Sequence, residues 1–407
     1  MKVLVINSGS SSLKYKLFDL AGPRAICAGL VERIGSPESS LTHTLYTDSG
    51  SGRKTELLER FENHTQAIEK VAALLMAGDN PLVKSAQELV AIGHRVAQGG
   101  EIFKENCIVD DWAIEGIREN IVLAPLHNPA NLAGIEAAMA HFPGVPSVAV
   151  FDTLFASHLP DYVYRYALPA AYYTQYKVRR YGFHGASHAY VTRTLAGLMG
   201  KPLNELSNIV CHLGNGSSIT AVKGGVCRET SMGMTPTSGL IMGTRCGDID
   251  PSLPAYLASC TGKSAAQIQT VLDRESGLAG ICGMNDMRDI HKAMALGDDN
   301  ARLAFEMLCH GIKKYIGAYY AVLGRLDAIA FTAGIGENDA KVRGKCLEGL
   351  EHLGIIVDQE VNAGLRGKSA RISTDDSAVE VWVVPTDEEF EIASICKDLV
   401  LRSNKNV

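Results

Sequence analysis

The sequence lacks any apolar segment long enough to cross a bilayer, which takes about 20 consecutive apolar residues. Its first residues hold one Lys before a short β-type segment, so we expect neither a signal peptide nor a membrane partner. Positive charge is not in excess either, since 39 Lys and Arg face 45 Asp and Glu and the formal net charge is −6. That balance argues against a nucleic-acid partner.

The ten cysteines form no C-x-x-C pair and are scattered along the chain. Such spacing is not typical of a cysteine metal site or of a disulfide framework. Reduced thiols acting as small apolar residues are the simpler interpretation. Because free thiols persist in reducing compartments, we expect a cytoplasmic protein.

The two common nucleotide-binding motifs are also absent, because no G-x-x-x-x-G-K-[ST] and no G-x-G-x-x-G opens a predicted helix. What the chain has instead is an apolar run, a small-residue turn and an alternating strand, over residues 2–19, and the same pattern over residues 207–223. One such hairpin alone would be ordinary. Two copies, half the chain apart, predict a duplicated fold whose turns contact phosphate oxygens.

Strand and helix patterns alternate through the rest of the chain, which predicts an α/β fold. A chain of 407 residues exceeds one typical core, so we expect two domains. The segment 36–56 is polar and predicts strands with exposed loops. The other predicted elements are helices over 64–78, 301–323 and 388–401, strands over 89–92, 147–151, 328–331 and 379–384, and a turn over 332–338.

Polar residues follow several of the predicted strands, where ligands bind in α/β proteins. Phosphoryl transfer needs fixed cationic donors, and Arg95, Arg245 and nearby histidines meet that need. A satisfied core residue remains the simpler explanation for the histidines without such neighbours, namely His141, His158, His291, His310 and His352.

These motifs resemble, in order, those of the acetate kinase family, over about residues 3–395. The matching segments are 7–14, 93–95, 124–129, 179–185, 212–218, 242–245 and 334–338. The resemblance implies two duplicated actin/Hsp70-like (ribonuclease H-like) α/β domains with a nucleotide cleft between them. It places an N-terminal domain at 1–150, completed by a C-terminal helix at about 386–407, and a second domain at 151–385 with the nucleotide site and the dimer interface.

The function implied by this resemblance is the reversible, ATP- and Mg²⁺-dependent phosphorylation of acetate by a homodimer, with Mn²⁺ as a substitute metal. Matching positions assign catalysis to Arg95, His127, Asp152, His184 and Arg245, and the metal to Asn7 and Glu388. ATP or ADP is assigned to Lys14, His212, Leu213, Gly214, Asn215, Gly216, Asp286, Met287, Arg288, Gly334, Ile335, Gly336, Glu337 and Asn338. Direct in-line transfer is expected, and a phosphorylated enzyme intermediate on His184 or a carboxylate is the competing mechanism.

The acyl pocket carries the most consequential departure from the family pattern. By resemblance it is lined by Ala97, Leu126, Phe183 and Pro236, and acetate-specific members usually have Val at the first position. Trimming that side chain makes a propionate kinase, or a dual acetate/propionate kinase, the alternative. A non-catalytic nucleotide-binding switch of the same superfamily is the remote alternative. Gln98, Cys246 and Thr237-Ser238 also depart from the pattern, without a role that the sequence reveals.

Overall fold

The repeated strand–turn–strand segments form neighbouring strands of two separate sheets in the computed structural model, which describes residues 1–22, 24–47, 52–77 and 81–403. The strands are β1 (Lys2–Ser8), β2 (Ser12–Asp19), β3 (Ala25–Glu32), β4 (Ser40–Tyr46), β5 (Gly52–Leu58), β6 (Leu89–Val96), β7 (Cys107–Ile108), β8 (Ser147–Phe151), β9 (Ser207–Leu213), β10 (Ser217–Lys223), β11 (Val226–Thr230), β12 (Ala328–Thr332), β13 (Ala370–Arg371) and β14 (Glu380–Val383).

Helices connect and cover these strands. They are α1 (His64–Met76), α2 (Asp111–Glu119), α3 (Asn128–His141), α4 (Asp161–Tyr164), α5 (Ala170–Tyr176), α6 (Gly185–Leu198), α7 (Leu253–Thr261), α8 (Ala265–Arg274), α9 (Gly277–Cys282), α10 (Met287–Ala295), α11 (Asp299–Leu323), α12 (Ala333–Asn338), α13 (Ala340–Leu347), α14 (Gln359–Gly364) and α15 (Glu388–Ser403). No helix in the described ranges has the length and apolar content that crossing a bilayer requires.

The chain divides into two compact units. The first comprises Met1–Leu154 and Asp387–Val407, and the second comprises Phe155–Thr386. In the first unit the strand order is β5-β4-β3-β2-β1-β6-β8-β7, with β1, β6 and β8 parallel to one another. In the second the order is β11-β10-β9-β12-β14-β13, with β9, β12 and β14 parallel.

The two sheets share one plan, an antiparallel meander followed by two parallel strands. The order β3-β2-β1-β6-β8 in the first unit corresponds to β11-β10-β9-β12-β14 in the second. In both, the first hairpin is tight and the register is regular up to the turn, with Ser8 opposite Leu13 and Leu213 opposite Ser217. The predicted α/β fold with a duplicated architecture is therefore confirmed.

Both faces of the first unit's sheet are covered, which explains the continuous apolar run in β1. Leu4 and Ile6 pack with α1 and α3 on one face, while Val3 and Val5 pack with α15 on the other. Strands buried on both faces are apolar at every position rather than at alternate positions. The approach of α15 is close enough that a Cβ at Gly93 would lie 2.6 Å from the Cys396 sulfur.

The second unit's sheet is covered in the same way. The long helix α11 packs on β9 and β10, and α6 packs on β9 and β12 from the other face. Three cysteines in this unit, Cys211, Cys309 and Cys346, are buried free thiols. Burial raises the pKa of all three, so they serve as small apolar side chains.

The predicted helices and strands are found close to their expected bounds, with two differences. The helix expected over 64–78 ends at Met76. Three parts of predicted segments lie outside the described ranges: residue 78, residues 48–51 and the last four residues of the chain. The turn expected over 332–338 is the short helix α12. It starts with Ala333 in the left-handed region at φ 63°, and the Glu337 carboxylate accepts a hydrogen bond from the Ala333 N–H at 2.8 Å.

Candidate active site

Three of the expected catalytic-site residues lie at one edge of the first unit's sheet. Asn7 is near the end of β1, Arg95 near the end of β6, and Asp152 directly after β8. These strands are parallel, so their carboxyl ends share an edge. An Arg95 guanidinium nitrogen donates to an Asp152 carboxylate oxygen at 2.8 Å, and Asp152 raises the pKa of Arg95. The Arg95 guanidinium is therefore held in one orientation by a charge-assisted hydrogen bond.

The fourth expected residue, Glu388, is the first residue of α15 and joins the same edge. Burial raises the pKa of Glu388 to about 7; Arg95 lowers it and Asp152 raises it, with a smaller lowering by Lys14. A carboxyl group that burial keeps partly protonated at neutral pH is short of positive charge. A hard divalent cation would supply that charge, and the Asn7 and Glu388 oxygens are of the kind that Mg²⁺ prefers.

No cluster of three or more His, Cys, Asp or Glu suited to a metal occurs within the described ranges. Mg²⁺ is commonly held by one or two carboxylates together with substrate phosphates. The residues around Glu388 therefore fit such an ion better than a metal held by protein ligands alone.

The residues expected around the acyl group are divided between the two units. Ala97 is buried after β6, and its N–H donates to the Asn131 side chain at 2.9 Å. Leu126 is 61% exposed and precedes His127, the exposed N-cap of α3. Phe183 and Pro236, in the second unit, are both half-buried. Their grouping into one acyl pocket stays a prediction.

The glycine turn of the second unit, residues 214–216, joins β9 to β10. The Gly214 N–H donates to the Gly216 carbonyl at 3.1 Å, and the Gly243 N–H donates to the Asn215 carbonyl at 3.2 Å. A Cβ at Gly243 would lie 2.0 Å from the Asn215 side-chain oxygen, so a larger residue there would displace the Asn215 side chain. The conformation of the turn is thus fixed by one hydrogen bond within it and one from Gly243.

Two cationic or polar donors converge above this turn. A Cβ built at Gly216 would lie 3.4 Å from His184 Nε2 and 3.5 Å from Arg245 Nη1. Burial lowers the pKa of Arg245, and among the described residues no carboxylate lies within ion-pair distance of it. Asp273 has a smaller, opposite effect on the pKa of Arg245 but is not ion-paired with it. A half-buried guanidinium without a direct ion pair, beside an imidazole and a bare glycine, is suited to an anion of phosphate size.

His184 has an unusual backbone conformation. It is the N-cap of α6 with φ 58°, in the left-handed region that non-glycine residues rarely adopt. Its ring stacks on that of His212 with 4.2 Å between centroids, and His212 Nδ1 lies 2.8 Å from the Ser187 hydroxyl. Strain of this kind persists where the surroundings fix a side chain for function.

A cavity of about 800 Å³ opens beside the glycine turn, entirely within the second unit. Its lining includes eight of the residues assigned to the nucleotide: Gly214, Asn215, Asp286, Met287, Arg288, Gly334, Ile335 and Asn338. The volume is in the range of small-molecule sites. At the rim, Arg288 binds the Asp286 carboxylate with both backbone and guanidinium N–H groups, which lowers the pKa of Asp286 to about 2.

Other residues assigned to the nucleotide do not line this cavity. Leu213 and Gly336 are buried, His212 stacks behind His184, and Lys14 is exposed on β2 in the first unit. The Glu337 carboxylate accepts from the Ala333 and Thr386 N–H groups, at 2.8 and 3.1 Å, so it holds the backbone of α12 in place.

Several lining residues were not assigned to the nucleotide from the sequence: Gly243, which is part of the matching segment 242–245, and Asn285, His291, Asp339, Ala340, Lys341, Ala363 and Arg366. His291 was expected to be a satisfied core residue. It is paired, with Nε2 2.7 Å from an Asp339 carboxylate oxygen, but the pair also faces the cavity. The sequence did indicate that His291 could face the nucleotide site, because it lies three residues after Arg288 on the same face of α10.

The family model described as Acetokinase family matches residues 2–394. The acetate kinase of Nitratidesulfovibrio vulgaris strain DP4 is 53% identical over 400 residues, covering 98% of this chain and all of that protein. The crystal structure of Porphyromonas gingivalis acetate kinase matches with a TM-score of 0.93 at 42% identity, covering 98% of this chain and 99% of the other. A propionate kinase structure from Francisella tularensis matches with a TM-score of 0.89 at 37% identity and the same coverage.

Proposed function

The chain belongs to the acetokinase family, and from this premise we propose that it phosphorylates acetate reversibly with ATP, giving acetyl phosphate and ADP. It is a phosphotransferase whose acceptor is a carboxylate. Acetate is already ionised at neutral pH, so the reaction needs no general base. It needs cationic donors that meet the charge on the transferred group.

The observation that carries the proposal is the convergence of Arg245 and His184 above Gly216, with no carboxylate paired to Arg245 in the described ranges. A non-catalytic nucleotide-binding switch would need the glycine turns but not this donor pair. A hydroxamate assay with acetate, ATP and Mg²⁺ tests the proposal directly. Acetate-dependent acyl hydroxamate is the expected result, and its absence from well-folded protein would overturn the proposal.

We propose direct in-line transfer. An acetate oxygen attacks the γ-phosphorus, the new O–P bond forms as the bond to the β,γ-bridging oxygen breaks, and ADP leaves with that electron pair. Arg95, held by Asp152, and Arg245 would bind the carboxylate and the phosphoryl group, with His184 and His127 as hydrogen-bond donors. A γ-phosphoryl group made chiral with oxygen isotopes should be inverted at phosphorus. Retention would indicate two transfers through a phosphorylated residue.

We further propose that Asn7 and Glu388 hold the Mg²⁺ that accompanies ATP. When bound, the ion supplies positive charge to the phosphates. The support is the partly buried carboxyl of Glu388, whose pKa is raised by burial and would be lowered again by a bound cation. Mn²⁺ has similar oxygen ligands and should replace Mg²⁺ in the assay.

Acetate is the proposed main substrate, because relatives that are 53% and 52% identical to this chain are named acetate kinases. Propionate as the main substrate is not favoured. The small side chain of Ala97 supports propionate as a secondary substrate, since an apolar pocket discriminates one methylene by only about 1–3 kcal/mol. Steady-state kinetics with both acids would show a kcat/KM for propionate within about a thousandfold of that for acetate.

A homodimer and a cytoplasmic location are also proposed. The second unit has exposed apolar side chains that a partner subunit could cover, including Tyr162, Leu168, Tyr176 and Tyr256. Light scattering after size-exclusion chromatography should give twice the chain mass of 43.6 kDa. The ten free thiols support a reducing compartment, which fractionation of the producing cells would test.

A further inference from the structure

A serine hydroxyl links the candidate catalytic histidine to a second, buried histidine. Ser218 Oγ lies 2.9 Å from His184 Nδ1 and 2.7 Å from His188 Nε2. Ser218 and His188 are at most 1% exposed. His184 and His188 are four residues apart at the start of α6, so their rings lie on one face of that helix, above β10.

The Ser218 hydroxyl has one hydrogen, and the two histidine nitrogens are its only hydrogen-bond partners among the described residues. If that hydrogen is used within the group, the three side chains can be connected in two directions. In the first, His188 Nε2–H donates to Ser218, Ser218 donates to His184 Nδ1, and the proton of neutral His184 is on Nε2. In the second, every bond is reversed. His184 Nε2 is then bare, and the proton of His188 is on Nδ1.

The surroundings of His188 favour the first direction. Its Nδ1 is buried without a hydrogen-bond partner among the described residues, and its ring stacks on Phe155 at 6.4 Å between centroids. A buried N–H without an acceptor is rarer in native structures than an unused acceptor. Burial and the nearby His212 lower the pKa of His188 well below its usual value, so the ring is neutral and has a single N–H.

We infer that Ser218 and His188 are positioning residues that fix the tautomer of His184, so that its Nε2–H points toward the anion site above Gly216. This inference rests on the proposed phosphoryl transfer and assigns a task to two residues with no other role in it. No proton moves during the reaction in this arrangement. The chain ensures that His184 presents a donor, not a lone pair, to an oxygen whose negative charge increases in the transition state.

Removing the bridge should weaken that donor without removing the imidazole. For Ser218→Ala we expect kcat to fall roughly 10- to 100-fold, the effect of one hydrogen bond to a charged group, with a KM for ATP changed less than about threefold. Ser218→Thr keeps the hydroxyl and should restore most of kcat. Because Ser218 is fully buried, melting temperatures and circular dichroism of both variants are measured first.

His188 provides a second test that does not alter Ser218. In His188→Gln the amide nitrogen lies near the position of Nε2 and can donate to Ser218, whereas in His188→Asn it lies near Nδ1 and cannot. Gln should therefore retain most of the activity and Asn should lose it to the extent of Ser218→Ala. Equal activity of the Gln and Asn variants would contradict the inference.

Two measurements separate a tautomer effect from general damage. In a double-mutant cycle, Ser218→Ala should cost little when His184 is already Ala; a full additional loss would overturn the inference. Long-range ¹⁵N–¹H NMR correlations on the full-length wild type should show His184 as the Nε2–H tautomer, its signal identified by its loss in His184→Ala. An Nδ1–H tautomer in active protein would refute the inference and leave the proposed function standing, whereas inactive wild type would refute the proposed function itself.

Discussion

Replacing Glu388 by Gln is expected to stabilise the ligand-free protein by an amount that increases with pH. Burial raises the pKa of Glu388 from 4.5 to about 7 in the folded protein. Between these pH values the unfolded chain releases a proton that the folded chain keeps, so stability falls as pH rises from about 4.5 to 7 and is level above that. Gln does not titrate, so the Glu388→Gln variant does not lose stability in this pH range.

The size of the effect follows from the same pKa. Keeping a carboxyl protonated up to pH 7 corresponds to roughly 3 kcal/mol at most. The side chain is partly solvent-accessible, which reduces the expected value to about 1–2 kcal/mol. For a unit of this size that free energy corresponds to roughly 3–6 °C in melting temperature.

Thermal melts at pH 5, 6.5 and 8, without nucleotide or metal, would measure this gap in melting temperature between Glu388→Gln and the wild type. Glu389→Gln is the matched control, because Glu389 is the next residue of α15 and is ion-paired with Lys16 at 3.0 Å. Removing that pair should lower the melting temperature slightly or leave it unchanged. A Glu388→Gln variant that melts below the wild type at pH 8, or a gap that does not widen with pH, would refute the reasoning. Adding ATP and Mg²⁺ should narrow the gap, since the wild-type carboxylate then gains a cationic partner.

Three further substitutions test the site. Arg245→Ala should lower kcat about 100- to 1,000-fold with a smaller change in KM, because the guanidinium meets charge that develops during transfer; turnover at the wild-type rate would remove that role. Gly216→Ala places a methyl group 3.4 Å from His184 Nε2 and 3.5 Å from Arg245 Nη1, and it should lower kcat/KM for ATP at least tenfold. The control is Gly317→Ala, whose methyl group meets no atom within 4 Å and should leave kcat/KM unchanged. Ala97→Val should lower the ratio of propionate to acetate kcat/KM roughly tenfold, and an unchanged ratio in steady-state assays would show that this side chain does not line the acyl pocket.

The α/β fold could be predicted from the sequence because the strands and long helices have clear periodicity. The family and the enzyme class were predicted from the resemblance of the motifs. The repeated hairpins identified the duplication, since a tight turn between an apolar and an alternating strand is a local feature. Helix α12 was predicted as a turn. Its Glu337 carboxylate accepts hydrogen bonds from the Ala333 N–H and from the Thr386 N–H, which lies far along the chain. No local pattern reveals such a contact.

For the candidate site, segments near glycines were easier to identify than isolated side chains. The turn at 214–216 and the segments 286–288 and 334–338 lie around one cavity. Lys341 and Arg366 also line it, yet they follow no strand and carry no motif, so only tertiary structure brings them there. No sequence pattern indicates a role for His188, because its connection to His184 runs through Ser218, which comes from a distant strand.

The position of α15 has a consequence for biosynthesis. This helix covers Val3, Val5 and Ala91 on the sheet formed by the start of the chain, but about 230 residues of the second unit emerge from the ribosome before it does. One face of the first sheet therefore lacks its covering helix until the whole second unit has been synthesised, and its apolar residues are exposed for that time. A chain ending at residue 386 would contain the whole second unit but would lack the helix that covers this face of the first.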